Sequence, residues 1–269
     1  MLSVHNYREI LPAARLLRYV ECYWFRDDLH GTPRHRVLPD GCVDILFSTQ
    51  NGEPTSLAIV GLMTTPQVVD VRAGQSFFGV RFRPGMAAAF LPAAPQLNDR
   101  IEPLENVLGS DARHLSDQLA EAASPLAMSR LMDTILRPLQ PPDTAQNALQ
   151  ELLMDAGTIE QVATAAALST RQLRRLCMER VGVSPKYLRR ILRFRKAARR
   201  IAELGTDSSR PNWADFAALS GYYDQAHFIR EFQEFAGHTP GRYLQSLPTP
   251  SPYNRNHEPS TTREPDRLR

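Results

Sequence analysis

The chain has 269 residues, of which 42% are hydrophobic and 23% are charged. This length allows two compact domains, and this composition is typical of globular proteins. No run of about 18 apolar residues occurs, which argues against a membrane-spanning protein. The N-terminal segment carries charges throughout and lacks the apolar core and small-residue cleavage site of a secretory leader. The sequence therefore predicts a cytoplasmic protein.

The positive charge is concentrated in one third of the chain. Residues 158–247 contain 15 Lys and Arg against 8 Asp and Glu, a balance of +7, whereas the rest contains 17 against 21, a balance of −4. This asymmetry is typical of a neutral or acidic domain joined to a domain that binds a polyanion. A solvated basic face is the alternative explanation of the charge alone.

The first hundred residues are predicted to be rich in β-strands. Short β-branched and aromatic runs alternate with Gly, Pro, Asn and Asp, which is the pattern of closely spaced antiparallel strands. The runs cover residues 18–25, 42–48, 57–63, 67–72 and 77–82. Three cysteines without a CxxC pair exclude a disulfide scaffold and a four-cysteine zinc site. This part of the chain is predicted to form a barrel or a sandwich.

Helices follow, and the overall prediction is an α+β protein. Leucine and methionine recur at helical intervals over residues 112–123 and 125–139, after a short helix near residue 86. Prolines at 138–143 predict a linker between a domain at 1–140 and a domain at 143–247. The last 22 residues, 248–269, combine proline and charge without apolar periodicity, so we expect a disordered tail.

One pattern occurs twice within the helical segment. Each copy, at 158–188 and 212–244, is predicted to contain a short helix, a tight turn, a second helix, a glycine and a helix that begins with proline. Two helices joined by a short turn form the helix-turn-helix unit, whose second helix can enter the major groove of DNA. The sequence therefore predicts two such units.

The second helix of each unit is predicted to present polar side chains to solvent, because its apolar residues lie on the opposite stripe. Arginine can donate two hydrogen bonds to guanine, and glutamine can make the corresponding pair with adenine. The predicted base-reading residues are Thr170, Arg171, Arg174, Arg175, Gln225, Ala226, His227 and Arg230. A phosphate contact or a solvated charge is the alternative for any one arginine.

A continuous helix is predicted between the two units, over residues 184–205. At 1.5 Å per residue it spans about 30 Å, close to the roughly 34 Å between successive major-groove faces on one side of B-DNA. Its basic side chains are predicted to neutralise phosphates. The residues are Lys186, Arg189, Arg190, Arg193, Lys196 and Arg199. On this interpretation, Arg193→Ala weakens binding to all DNA sequences about equally.

The helical third resembles the DNA-binding domain of AraC/XylS-type bacterial transcription regulators. The resemblance rests on the second unit, FAALSGYYDQAHFIREFQEFAGHTPGRYL, through Ala217, Gly221, Tyr222, Phe228, Phe232, Gly237, Pro240 and Tyr243. It implies a seven-helix bipartite reader of double-stranded promoter DNA that needs no metal or cofactor. Ala167 stands where the family usually has glycine in the first turn, and Cys177 stands where phenylalanine is common. The first unit is therefore expected to read DNA differently.

The N-terminal 140 residues are similar to an uncharacterised sensor-like domain of some of these regulators. The similarity rests on VECYWF, HRVLPDGCVDILF and GVRFRPG. It implies a cupin-like barrel that binds a small-molecule effector or mediates dimerisation. The candidate effector residues are His35, Asp40, Asp44, Arg81 and Arg83. Arg81 and Arg83 are predicted on one face of a strand, where they could clamp an anionic effector, and paired exposed charges on an edge strand are the alternative. The alternative for all five is that these are ordinary turn and strand residues that bind no ligand. The same alternative applies to a metal site formed with Cys42 and His30.

The function predicted from these observations is sequence-specific transcription regulation, with RNA polymerase as an expected partner and no enzymatic activity. Whether two chains form a homodimer stays open. One alternative is a DNA-tethered enzyme, such as an alkyl-repair protein that uses Cys22 or Cys42 as its nucleophile. Common catalytic motifs for hydrolases, metalloproteases and nucleotide-binding enzymes are absent from the sequence. Another alternative is an architectural DNA-binding protein without an effector.

Overall fold

The computed structural model describes residues 6–139, 149, 158–204 and 211–247. The N-terminal strands are β1 Asn6–Ile10, β2 Val20–Asp28, β3 Thr32–Val37, β4 Val43–Gln50, β5 Glu53–Val60, β6 Gln67–Val71, β7 Gln75–Phe82 and β8 Ile101–Pro103. Three 3₁₀ turns occur at Ala14–Leu16, Ala87–Ala89 and Ala94–Leu97, and the helices α1 Glu105–Leu108, α2 Ser110–Glu121 and α3 Pro125–Ile135 follow. The α+β fold class is confirmed.

The strands form two antiparallel sheets. The larger sheet has the order β1-β2-β7-β4-β5-β8, and β3 pairs with β6 in the smaller one. Among the described residues the larger sheet ends at β1 and β8 and does not close into a barrel. The alternative that places Arg81 on an edge strand does not hold, because β7 lies between β2 and β4 and bonds to both. The sequence pattern predicts strands but does not predict their order in the sheet.

The core of the sheet is built from alternate side chains, as the twofold period of a strand requires. Val43, Ile45 and Phe47 of β4 are buried, and Phe78, Val80 and Phe82 of β7 are buried beside them. The buried cluster continues through Met86 and the helices into the C-terminal third. The two parts of the chain therefore share one hydrophobic core.

The described C-terminal residues contain α4 Ile159–Ala165, α5 Thr170–Arg180, α6 Pro185–Leu204, α7 Trp213–Leu219, α8 Gln225–Ala236 and α9 Pro240–Ser246. The predicted connecting helix corresponds to α6. The predicted linker at 138–143 lies largely outside the described residues, and the predicted tail at 248–269 lies wholly outside them. Within those residues no helix is both long and apolar enough to cross a membrane.

Side-chain caps define where the helices of the two units begin. Thr158 and Ser169 each accept a hydrogen bond from the backbone three residues on, and Gln161 and Gln172 bond back to complete two capping boxes. In the second unit the side chain of Asp224 accepts from the amide of His227. These caps satisfy amides that have no partner within a helix and fix the first residue of each recognition helix.

The turns of the two units differ in length and in strain. Five residues separate α7 from α8, but only four separate α4 from α5. The extra residue is Tyr223, whose side chain is 93% exposed. At equivalent positions the backbone is left-handed, with φ of +79° at Gly221 and +54° at Ala167. An alanine pays a steric cost in this conformation that glycine avoids.

We expect Ala167→Gly to stabilise the protein by about 0.5–1 kcal/mol, because relief of the left-handed strain exceeds the added entropy of the unfolded chain. The measurement is the urea denaturation midpoint, followed by circular dichroism. Ala214→Gly, in the exposed face of α7, is the control and should destabilise by up to about 1 kcal/mol. A loss of stability in Ala167→Gly would contradict the strain argument.

Candidate nucleic-acid interface

The exposed face of α5 carries the first set of predicted base-reading residues. Leu173 and Cys177 are completely buried, which fixes the rotation of the helix about its axis. Thr170, Arg171, Arg174 and Arg175 consequently face solvent, as the apolar stripe predicted. Arg175 makes an exposed ion pair with Glu179 at 3.7 Å, which leaves its guanidinium accessible. The face therefore offers solvent-exposed arginine donors.

The corresponding face of α8 is shaped by an aromatic core. Phe228, Phe232 and Phe235 are completely buried, and rings from α6 and α7 pack against them. Gln225, Ala226 and Arg230 are exposed, as predicted. His227 is half-buried: its ring packs edge-on against Tyr222, with centroids 5.4 Å apart. The second face therefore presents an amide and a guanidinium, with the imidazole partly covered.

Glu231 is a buried carboxylate on the inner side of α8, and its side chain is only 4% exposed. Arg193 of α6 donates to both of its oxygens at 2.7 and 2.8 Å, and Arg190 donates at 2.8 Å. Arg193 also stacks over the Tyr222 ring at 4.8 Å. In this structure the guanidinium of Arg193 is paired with Glu231, which competes with a phosphate contact, so that contact stays a prediction. The same holds for Arg190.

A second carboxylate ties α6 to the sheet. Glu21 of β2 bonds to Arg195 and, at 2.8 Å, to Arg199. Burial alone would raise the pKa of Glu21, but Arg195 and then Arg199 outweigh it and hold that pKa well below its usual range. Arg199, predicted to contact phosphate, is thus engaged with the N-terminal part of the chain.

The remaining members of the predicted phosphate-binding set on α6 are Lys186, Arg189 and Lys196. Lys186 and Lys196 are exposed, and Arg189 is half-buried. Their contact with phosphate stays a prediction. The net charge of the helical third therefore overestimates the number of basic side chains available to DNA, because several of its arginines pair with carboxylates inside the protein.

The predicted effector residues do not form one site. Arg81 bonds to both oxygens of Asp44, at 3.2 and 3.1 Å, and lies 3.7 Å from Asp40. His35 lies in the smaller sheet, where its Nε2 is 3.0 Å from Arg26. Arg83 follows β7 and donates to the carbonyl of Leu17 at 2.8 Å. Arg81 is thus already paired with Asp44 and close to Asp40 in the absence of a ligand.

The cavities beside these residues are small. One of about 20 Å³ lies between the sheet and α6, bordered by Asp40, Arg81, Arg195 and Arg199. Another, of about 10 Å³, lies between Gly85, Pro95 and Val181. A volume of this size holds one water molecule, whereas small-molecule sites usually occupy about 300–1,000 Å³. The described part of the chain also contains no cluster of His, Cys, Asp or Glu that could hold a metal ion.

The two cysteines considered as nucleophiles are buried. Burial raises the pKa of the Cys22 thiol well above its usual range and does the same for Cys42, although Arg195 and Arg81 oppose the effect at Cys42. A protonated thiol is a weak nucleophile. This environment does not support alkyl transfer by either residue.

Comparisons with known protein families match two separate stretches of the chain. Residues 8–102 match a family described as a domain of unknown function, DUF6597, and residues 162–246 match a family described as a helix-turn-helix domain. No curated protein sequence matches the chain. The helix-turn-helix match covers the described elements from α4 to α9.

Solved structures with partial similarity include a DNA-binding transcriptional dual regulator from Escherichia coli K-12. It is 20% identical, with 41% of this chain and 96% of that chain covered and a TM-score of 0.32. ToxT from Vibrio cholerae O395 is 10% identical, with 82% and 97% covered and a TM-score of 0.42. ToxT from Vibrio cholerae strain SCE256 bound to an unsaturated fatty acid is 11% identical, with 85% and 95% covered and a TM-score of 0.42.

We expect Arg193→Ala to destabilise the protein by about 2 kcal/mol, because it removes charged hydrogen bonds from a buried carboxylate. Lys186→Ala is the control: it removes the same charge from an exposed position of the same helix and should change stability by less than about 0.5 kcal/mol. Urea denaturation of the two variants measures the difference. Equal stabilities would return Arg193 to the set of DNA-contacting residues.

We expect Glu21→Gln to destabilise the protein by about 1–2 kcal/mol at pH 7. The folded state lowers the pKa of Glu21, so its contribution is complete above the unfolded pKa of about 4.5 and is lost as the pH falls below it. The difference between the wild type and the variant should therefore shrink progressively below about pH 4.5. Glu53→Gln, at an exposed carboxylate of β5, is the control and should show no such convergence.

Proposed function

We propose that the chain is a DNA-binding transcription regulator of the AraC/XylS type that reads a bipartite operator with α5 and α8. The observation that carries the proposal is the repeated arrangement itself. Two capped helices in equivalent positions bury their apolar stripes and expose arginine, threonine and glutamine. These are the side chains that recognise base edges in the major groove.

The connecting helix supports the reading of two groove segments. α6 has 20 residues and therefore spans about 30 Å, which approaches one turn of B-DNA. Its apolar residues are buried and several of its arginines are fixed by carboxylates, so it acts as a rigid element. On this proposal the exposed Lys186 and Lys196, with Arg189, supply affinity for the phosphates and the recognition helices supply specificity.

Regulation by a small molecule is a further part of the proposal. Arg81 is paired with Asp44 and lies near Asp40, and the cavity beside them has room for a water molecule but not for a metabolite. An effector would therefore bind a more open form of the N-terminal domain than this one. Contacts with RNA polymerase and with a second copy of the chain stay predictions from the family resemblance.

The first test is selection of bound sequences from a random DNA pool with the full-length chain. Two short enriched blocks, with centres about one helical turn apart, are the expected result. Enrichment of no sequence would refute specific recognition in the absence of an added effector and favour an architectural DNA-binding protein.

On the selected operator, Arg174→Ala and Arg230→Ala should each reduce the binding free energy by about 1–3 kcal/mol. Their effect on the binding free energy for random DNA should be smaller. Lys186→Ala should weaken binding to both kinds of DNA about equally. It should also reduce the slope of log K against log salt concentration by about one. Arg72→Ala, an exposed arginine in the N-terminal domain, is the remote control for the loss of charge. Equal losses on both DNAs for the two reader variants would contradict their assignment.

A further inference from the structure

The N-terminal domain contacts the two recognition helices at equivalent points. Val181 and Ala236 stand immediately before Gly182 and Gly237, the glycines that end the second helix of each unit. The side-chain amide of Asn98 donates to the carbonyl of Val181 at 3.1 Å. The guanidinium of Arg36 donates to the carbonyl of Ala236 at 3.0 Å. Two separate elements of the N-terminal domain therefore bond to the same position of the two repeats.

These carbonyls are among the groups that a helix leaves without an internal partner at its C-terminus. A donor from outside the helix satisfies each one, and the positive charge of Arg36 also complements the negative end of the α8 dipole. The contacts are consequently directional: each one fixes where the end of a recognition helix lies relative to the N-terminal domain.

The equivalent glycines allow the domain to approach this closely. Both have a left-handed backbone, with φ of +78° at Gly182 and +69° at Gly237. A Cβ atom at Gly182 would lie 2.2 Å from the carbonyl oxygen of Pro95, and one at Gly237 would lie 2.5 Å from the guanidinium of Arg36. A side chain at Gly182 would collide with the backbone of the N-terminal domain, and one at Gly237 would displace the guanidinium of Arg36 from the end of α8.

The helix between the two units is held by the same domain. Tyr187, near the start of α6, donates to the carbonyl of Thr64 at 3.3 Å. Further along α6, Glu21 pairs with Arg195 and Arg199. Contacts along α6 and at both recognition helices thus come from one folded domain, whose segments are joined through its own sheets and core.

We propose that the N-terminal domain is a clamp that fixes the relative placement of α5 and α8, with Asn98 and Arg36 as positioning residues that select the spacing between the two half-sites. This inference rests on the proposed function but adds a role to the N-terminal domain. A reader with a fixed geometry places its second helix only on DNA with the matching spacing, whereas a loosened reader accommodates several spacings at lower affinity.

The first experiment needs no DNA. Spin labels at Met178→Cys and Gln233→Cys, both exposed and outside the proposed reader set, report the distance between α5 and α8 in the full chain by pulsed electron paramagnetic resonance. The native cysteines are buried and do not compete for the label. We expect one narrow distance in the otherwise wild-type chain and a broad distribution when Arg36→Ala and Asn98→Ala are added.

The matched control combines Arg72→Ala with Asn106→Ala, which removes the same groups from exposed positions of the N-terminal domain. It should keep the narrow distance. Two further variants keep Asn98 and change only Arg36. Arg36→Lys, which retains a charged donor, should give a narrower distance distribution than Arg36→Ala. Near-ultraviolet circular dichroism checks that each variant retains its packed core. A narrow, unchanged distance in the Arg36→Ala, Asn98→Ala variant would overturn the proposal.

The second experiment measures binding to the selected operator after insertion or deletion of one to three base pairs between the half-sites. The wild type should favour one spacing by about tenfold or more, and the Arg36→Ala, Asn98→Ala variant should lose most of that preference while binding an isolated half-site unchanged. The same spacing profile in both proteins would overturn the clamp. If no protein binds any operator specifically, the proposed function fails, but the distance measurement still tests the clamp.

Discussion

The arrangement of the molecule depends on α6, which is packed on more than one side. Leu188, Ile191, Phe194 and Ile201 are completely buried within a helix that also carries many basic residues. Phe194 contacts the aromatic core of the second unit, and Ile191 and Leu192 lie beside Gly41 of the N-terminal domain. Because both contacts use the same helix, movement of the N-terminal domain relative to the reader must disturb a shared core.

The arginines of α6 show how the helix keeps its direction. Glu231 holds Arg190 and Arg193 on one side, and Glu21 holds Arg195 and Arg199 on the other. Buried ion pairs contribute less to stability than their Coulomb energies suggest, since each charge loses its hydration. Their geometry is demanding, however, because a shifted helix would leave a carboxylate buried without its partner. We infer that the pairs specify the docking of α6 more than they strengthen it.

The sequence predicted the elements that depend on local patterns. The strand runs, the apolar stripes of α5 and α8, the extent of α6 and the cap at Thr158 follow from periodicities and capping preferences that lie within a few residues. The interface between the two parts depends on long-range pairing, which no local pattern contains. Arg193 and Lys186 look equally suited to phosphate in the sequence, but only Arg193 faces Glu231. The acidic residue at an inward position, three residues after Phe228, was the available signal.

The N-terminal strands show the same limit. Arg81 could be assigned to a strand, but its place in the middle of the sheet beside Asp44 depends on a strand order that local sequence does not encode. β3 was missed because its sequence, TPRHRV, lacks an apolar pattern, yet this strand carries Arg36 to the end of α8.

The position of Arg36 joins the fold to the proposed clamp. A strand with little apolar character contributes little to a core, but it brings a guanidinium to a helix end that needs a donor. Asn98 does the same from an irregular segment after a 3₁₀ turn. Two unrelated segments that converge on equivalent carbonyls of a repeat are explained by the repeat itself, because each recognition helix ends in the same way and requires the same kind of partner. The symmetry of the reader thus determines which contacts the N-terminal domain has to supply, and any ligand that opened this domain would alter both of them together.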